Sequence, residues 1–211
     1  GGRVLVTAGN HEAEFLADPT TSKADDFIAE LRAAGIAPGD VAAGRNALGQ
    51  YLRSLPIAAR VRDWFFCHAG NTGGRTLAKL TADVEKGLNK SGFGAAVLSD
   101  DASILEARVE PTPWWETGRD PAGTLRSYAA ALGVAHIVMG HQPGKYTFAD
   151  GEKRSKGTIV GRYGVLFLTD VGMSRGIDYS SGALLRIHTA AGKTTATALY
   201  GDGRTKTVYS N

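Results

Sequence analysis

The chain has 211 residues, 43% of them hydrophobic and 21% charged, which suits one globular domain with a sizeable core. Its formal charge is only +3 and basic residues alternate with acids, so an electrostatic grip on nucleic acid is not indicated. No apolar run nears the ~20 residues a membrane span needs, and no signal-peptide pattern opens the chain, so the visible chain reads as soluble. The single cysteine, Cys67, excludes an internal disulfide and any cysteine-based zinc cluster.

In chain order, Arg3–Thr7 is a short β-branched run that predicts a buried strand, ending at Ala8-Gly9 in a loop that carries Asn10, His11 and Glu12. A helix follows over Ser22–Ala34, from the helical spacing of Ala24, Phe27, Ile28 and Leu31, with Ser22 as N-cap and Gly35 past its end. A shorter helix runs from about Asn46 to Ser54. Ile57–Cys67 predicts two strands turning at Arg62-Asp63, the second ending at His68. Thr76–Leu88 reads as a helix, Gly92–Ser99 as a loop, and Asp100-Asp101 as a short helix start. Pro111, Pro113, Trp114 and Trp115 break the pattern; the tryptophans suit a core better than a stacking platform. Asp120-Pro121 then starts a helix that Gly133 ends, and strand Ala135–Met139 presents Gly140-His141. Five further strands, over 158–160, 165–169, 183–188, 194–200 and 205–209, fill the tail.

Three histidines thus follow predicted strands, each beside glycine: Gly9-Asn10-His11-Glu12, His68-Ala69-Gly70 and Gly140-His141. Ligands of open α/β sheets bind beyond the carboxyl ends of strands. Glycine permits the tight backbone approach that lets neighbouring imidazoles converge. Imidazole and amide oxygen suit Zn, Mn, Fe or Co, Lewis acids that activate water. His136 and His188 lie inside predicted strands without that context and read as packed or surface side chains.

Gly9-Asn10-His11-Glu12 resembles the GNH[DE] motif of calcineurin-like metallophosphoesterases. Phe66-Cys67-His68-Ala69-Gly70, Val138-Met139-Gly140-His141-Gln142-Pro143, Asp170-Val171-Gly172-Met173 and Ser181-Gly182-Ala183-Leu184-Leu185 are similar, in order, to later segments of its bacterial phosphoprotein-phosphatase-like branch. The resemblance implies an α/β fold, a two-sheet β-sandwich flanked by helices. It implies hydrolysis of phosphomonoesters, phosphoproteins included, by a hydroxide held between two metal ions (Mn, Fe or Zn). On that pattern Asn10, His68 and His141 are ligands of one metal and His11 is the general acid. Pro143 stands where many relatives have a second histidine.

The family's Asp-x-His and Gly-Asp motifs stand upstream of the segment that Gly9-Asn10-His11-Glu12 resembles and would fall before Gly1. The resemblance therefore implies a single domain lacking its N-terminal strands and helices, with at most one partial metal site and no activity by itself. Arg75, behind the Asn71–Gly74 turn, and Arg119 are candidate phosphate clamps; the turn serves equally as a plain lead into a helix. A dinucleoside polyphosphate hydrolase and a catalytically incomplete phosphate-binding or interaction fragment are the alternatives. The expected partner is a phosphate-ester substrate, without nucleic acid or membrane. Oligomeric state is left open, and so is compartment, with the cytoplasm slightly favoured and a lost export signal allowed for.

Overall fold

The structure is a computed structural model that describes residues 2–174 and 176–211. Four helices come first: α1 (Asn10–Ala17), α2 (Asp25–Ala33, entered through a 3-10 turn), α3 (Pro38–Ala42) and α4 (Ala47–Ser54). Asn46 caps α4 by accepting from Gly49 N–H at 2.9 Å, and Gly35 leaves α2 at φ +71, a left-handed exit that costs glycine little. Gly49 also sets how closely α4 meets α3. A Cβ there would lie 2.1 Å from the Val41 carbonyl oxygen.

Arg3–Thr7 is not a strand; Arg3 to Val6 are exposed, and the first backbone anchor is Ala8 N–H to Pro56 O at 2.9 Å. Its β-branched residues have the right propensity, but a strand exists only where a neighbour completes its hydrogen bonds. Consequently Asn10, His11 and Glu12 form the first turn of a helix rather than a loop.

Next come β1 (Ala58–Val61), β2 (Trp64–Cys67), α5 (Leu77–Ser91), the short α6 (Ala96–Ser99) and α7 (Pro121–Leu132). The expected loop over 92–99 is thus partly helical, and Asp100-Asp101 begins no helix. α5 and α7 start where cap chemistry places them: Thr76 accepts from Lys79 N–H and Asp120 from Gly123 N–H, and Gly133 closes α7 at φ +68. The rest is strands: β3 (His136–Met139), β4 (Tyr146–Thr147), β5 (Lys153–Arg154), β6 (Val160–Arg162), β7 (Leu166–Leu168), β8 (Ala183–Ala190), β9 (Lys193–Tyr200) and β10 (Thr205–Ser210).

The class is α/β. The central sheet has the order β1-β2-β3-β7-β6, with β2, β3 and β7 mutually parallel. Cys67 pairs with Met139, and Met139 with Leu168, so these three strands end level. The segments after them, His68, Gly140-His141 and Asp170, therefore emerge along one sheet edge.

One sheet face buries Phe65, Ile137, Met139 and Leu166 in the main core with the helices. The other packs Trp64, Val138 and Phe167 against Ala196, Leu185 and Ile187 of the β8–β10 sheet. Among the described residues no helix is long and apolar enough to cross a membrane.

Candidate active site

Asn10, His68 and His141 come from α1 and from the ends of β2 and β3, and the fold puts them in direct contact. Gly9 is the N-cap of α1, and its N–H donates to Glu12 Oε2 at 2.8 Å. That is the acidic half of a capping box. A Cβ at Gly9 would come within 3.0 Å of His68 Nδ1, so glycine here lets the β2 histidine close on the helix start.

Asn10 is 4% exposed and donates from Nδ2 to Glu106 Oε2 at 3.3 Å. That bond turns its Oδ1 toward His68 Nε2, 2.9 Å away, so the network assigns the proton on His68 to Nε2. His68 Nε2 also lies 2.8 Å from His141 Nδ1. The one Nε2 proton of His68 is thus shared between Asn10 Oδ1 and His141 Nδ1, and His141 carries its own proton on the buried Nε2, with the Glu106 backbone and the Asp170 carboxylate favouring its charged form. His141 sits at φ +66, a left-handed conformation that non-glycine residues adopt at a cost and that clusters at functional sites.

Burial pushes both rings down to about 4, helped by His11 at His68 and by His68 and Arg108 at His141. Both are neutral near pH 7. Burial and the neighbouring Glu14 raise the Glu106 carboxyl above the usual range, with Asn10 acting the other way. Lys23 pairs with Glu14, so a polar chain runs from the surface through Glu14, Glu106 and Asn10 to the imidazoles.

His11 is exposed at the rim, beside a cleft of about 540 Å³ lined by Glu12, Phe15, Lys23, Phe27 and Leu52. Arg108, also exposed, is the cation that acts on His141. The expected clamps lie elsewhere. Arg75 donates to Thr72 O at 2.9 Å and pairs with Asp83 at 3.1 Å, while Arg119 is exposed in the segment before α7. Neither is bonded to the Asn10–His68–His141 group. His136 stacks on Trp64 at 4.1 Å and His188 is exposed on β8.

The expected pair of metal ions, and the partial site in this chain, are corrected. Among the described residues no group of three or more His, Cys, Asp and Glu side chains is placed to hold a metal ion. Asn10 Oδ1, His68 Nε2 and His141 Nδ1 are engaged with one another. Glu106, Glu14 and Arg108 were missed in the sequence because nothing local marks them.

The neutral imidazoles make stability fall with acid. Below pH 6.5 the unfolded chain takes protons that the folded His68 and His141 refuse until about pH 4, so stability is full above 6.5 and declines between those values. Each ring alone would contribute at most about 3 kcal/mol, less where solvent reaches it and because the two are in contact, so a loss of about 2–4 kcal/mol is expected by pH 4.5. Urea midpoints at pH 7 and pH 4.5 measure it. A His68→Gln/His141→Gln variant should show less than half the wild-type difference.

Comparison with known proteins bears on the fold. No protein-family model and no curated protein sequence matches the chain. Three solved structures do. A cold-active protein tyrosine phosphatase aligns at TM-score 0.60 with 18% identity, over 98% of this chain and 58% of that one. A point mutant of a cold-active protein tyrosine phosphatase gives 0.63, 20%, 99% and 60%, and the enzyme of a psychrophilic Shewanella species 0.59, 17%, 99% and 60%. The chain thus spans about 60% of the length of these structures. They are described as protein tyrosine phosphatases and not as calcineurin-like metallophosphoesterases, which overturns the resemblance drawn from the sequence motifs. At this identity the kinship shown is one of fold: almost the whole chain folds as part of the structure seen in cold-active protein tyrosine phosphatases.

Proposed function

We propose that this protein hydrolyses phosphate monoesters, with aryl phosphates such as a phosphotyrosyl side chain as the favoured class. The observation that carries the reading is the contact of Asn10, His68 and His141 at the ends of two adjacent parallel strands, with His11 exposed beside an aromatic-walled cleft. The described activity of the structures that share the fold supports it.

In this reading the phosphoryl group sits over the Asn10–His68–His141 group, with Arg108 offsetting its charge. The leaving group lies in the cleft beside Phe15 and Phe27. Water attacks phosphorus in line as the bond to the leaving oxygen breaks. His11 protonates that oxygen and regains a proton through solvent from the attacking water.

The test is steady-state hydrolysis of p-nitrophenyl phosphate, phosphotyrosine and glycerol phosphate by the full-length protein and by His141→Ala. The expected result is a kcat/KM order that favours the two aryl esters and a loss of about 10²-fold or more in the variant, from the lost positioning. Absence of turnover on all three esters, or turnover that His141→Ala leaves untouched, overturns the reading.

A further inference from the structure

Two clefts adjoin on the side of the molecule that carries β4, β5 and the turn between β9 and β10. The first, about 570 Å³, is lined by Lys145, Lys153, Arg154 and Lys156, with Glu110 as its one carboxylate. The second, about 460 Å³, shares Lys153 and Ser155 with the first and adds Arg204 and Lys206, with no carboxylate in its wall. Six cations and one carboxylate line the two walls, and with Arg204 paired to Asp202 five cations are left against Glu110, so the lining itself is basic.

The acids nearby are already engaged. Asp150 and Glu152 pair with Arg162, Asp202 with Arg204, and Glu110 accepts from Gln142 Nε2 at 3.2 Å. Lys145, Lys153 and Lys206 are exposed and form no ion pair among the described residues. Such a field attracts and orients an anionic chain.

We propose that this double cleft binds an acidic peptide segment. The aromatic rings around it argue for peptide over nucleic acid. Lys156 covers the face of Tyr179 at 4.0 Å, Arg204 lies over Tyr200, and Tyr146 is edge-packed on Phe148 at 5.1 Å. Bases bind single-strand platforms by stacking on free rings, and the Tyr179 and Tyr200 rings each already carry a cation over one face. The wall of the first cleft is also tied by hydrogen bonds to the loop of the candidate active site. Glu110 and Arg154 of its wall both bond to Gln142, the residue after His141. That the acidic segment flanks the phosphoryl group of a substrate protein rests on the proposed function.

The experiment uses the full-length protein and a fluorescein-labelled, non-phosphorylated oligoglutamate peptide, followed by anisotropy. Binding is expected at about 50 mM salt and should weaken at least about tenfold at about 300 mM, as screening shortens the reach of surface charge. Lys153→Glu/Lys206→Glu should weaken it at least about tenfold, and Lys86→Glu/Lys90→Glu, the same charge change on exposed positions of α5, should change it less than twofold. An acidic phosphotyrosyl peptide should lose kcat/KM in the first variant while p-nitrophenyl phosphate does not. Peptide binding that Lys153→Glu/Lys206→Glu leaves intact, equal losses in both variants, or an oligonucleotide of equal charge binding more tightly through the same lysines overturns the docking site. Peptide binding with these dependences but no ester turnover leaves the site standing and overturns the proposed function.

Discussion

His11→Asn is expected to lower kcat/KM on an alkyl phosphate by about 10²–10³-fold, and on an aryl phosphate with an acidic phenol by less than about tenfold. The difference follows from the leaving group. An alkoxide is a strong base that leaves only as it receives a proton, whereas an acidic phenolate departs nearly unaided. His11 is exposed on the first turn of α1, and none of the hydrogen bonds described for the site uses its side chain. The substitution should therefore leave the thermal midpoint within about 2 °C of wild type, in keeping with a surface change of a few tenths of a kcal/mol. Equal losses on both esters would take His11 out of the acid role. A large fall in midpoint would show it to be structural.

The second large effect is on stability. Gly49→Ala should destabilise the protein by about 2–3 kcal/mol and lower the midpoint by about 5–10 °C, although alanine is the better helix former by about 1 kcal/mol. A Cβ at position 49 would stand 2.1 Å from the Val41 carbonyl oxygen and 3.0 Å from Gly44 Cα. Both are backbone, and the second Cα belongs to the chain that links α3 to α4. No side chain can swing away to relieve this contact, so the helices must separate and the fully buried Val41 must lose packing. Gly39→Ala, inside α3 with nothing within 4 Å of its Cβ, is the matched control and should be neutral or slightly stabilising. Thermal denaturation of the two variants side by side separates contact from propensity.

Elements whose ends are fixed by local chemistry were legible. Asn46, Thr76 and Asp120-Pro121 open their helices through side chains that accept from the backbone, and Gly133 closes α7, all as residue type predicts. Strands β2 and β3, apolar on both faces, read correctly because both faces are buried. The failures are of another kind. Val4, Leu5 and Val6 have strand propensity, but a strand depends on a neighbour that sequence does not reveal. α3, with five residues, is too short to show a period.

At the site, the histidines after β2 and β3 were legible because parallel strands deliver their ends to one edge. Glu106 joins Asn10 across 96 positions, and no pattern along the chain could connect them. The family resemblance leaned on Gly9-Asn10-His11-Glu12, yet Glu12 has a local use in capping α1. Part of that motif is thus explained by how a helix begins.

Arg154, 3% exposed on β5, donates to the carbonyls of Gln142, Thr158 and Asp170 and has no carboxylate partner among the described residues. A guanidinium keeps its charge under all ordinary conditions, so a fixed positive charge lies beneath the loop that carries His141. Salt screens charges in water far more than charges inside a protein. The exposed lysines of the neighbouring clefts lose their reach as ionic strength rises, while the internal bonds of Arg154 to the three carbonyls persist. The molecule therefore has two cationic features with different responses to salt: a long-range attraction for anions that a saline environment switches off, and a buried guanidinium brace beside Gln142, offset in charge by Asp170, that it does not. An acidic chain should consequently be released at a salt concentration at which the backbone behind His141, held by Arg154, keeps its shape.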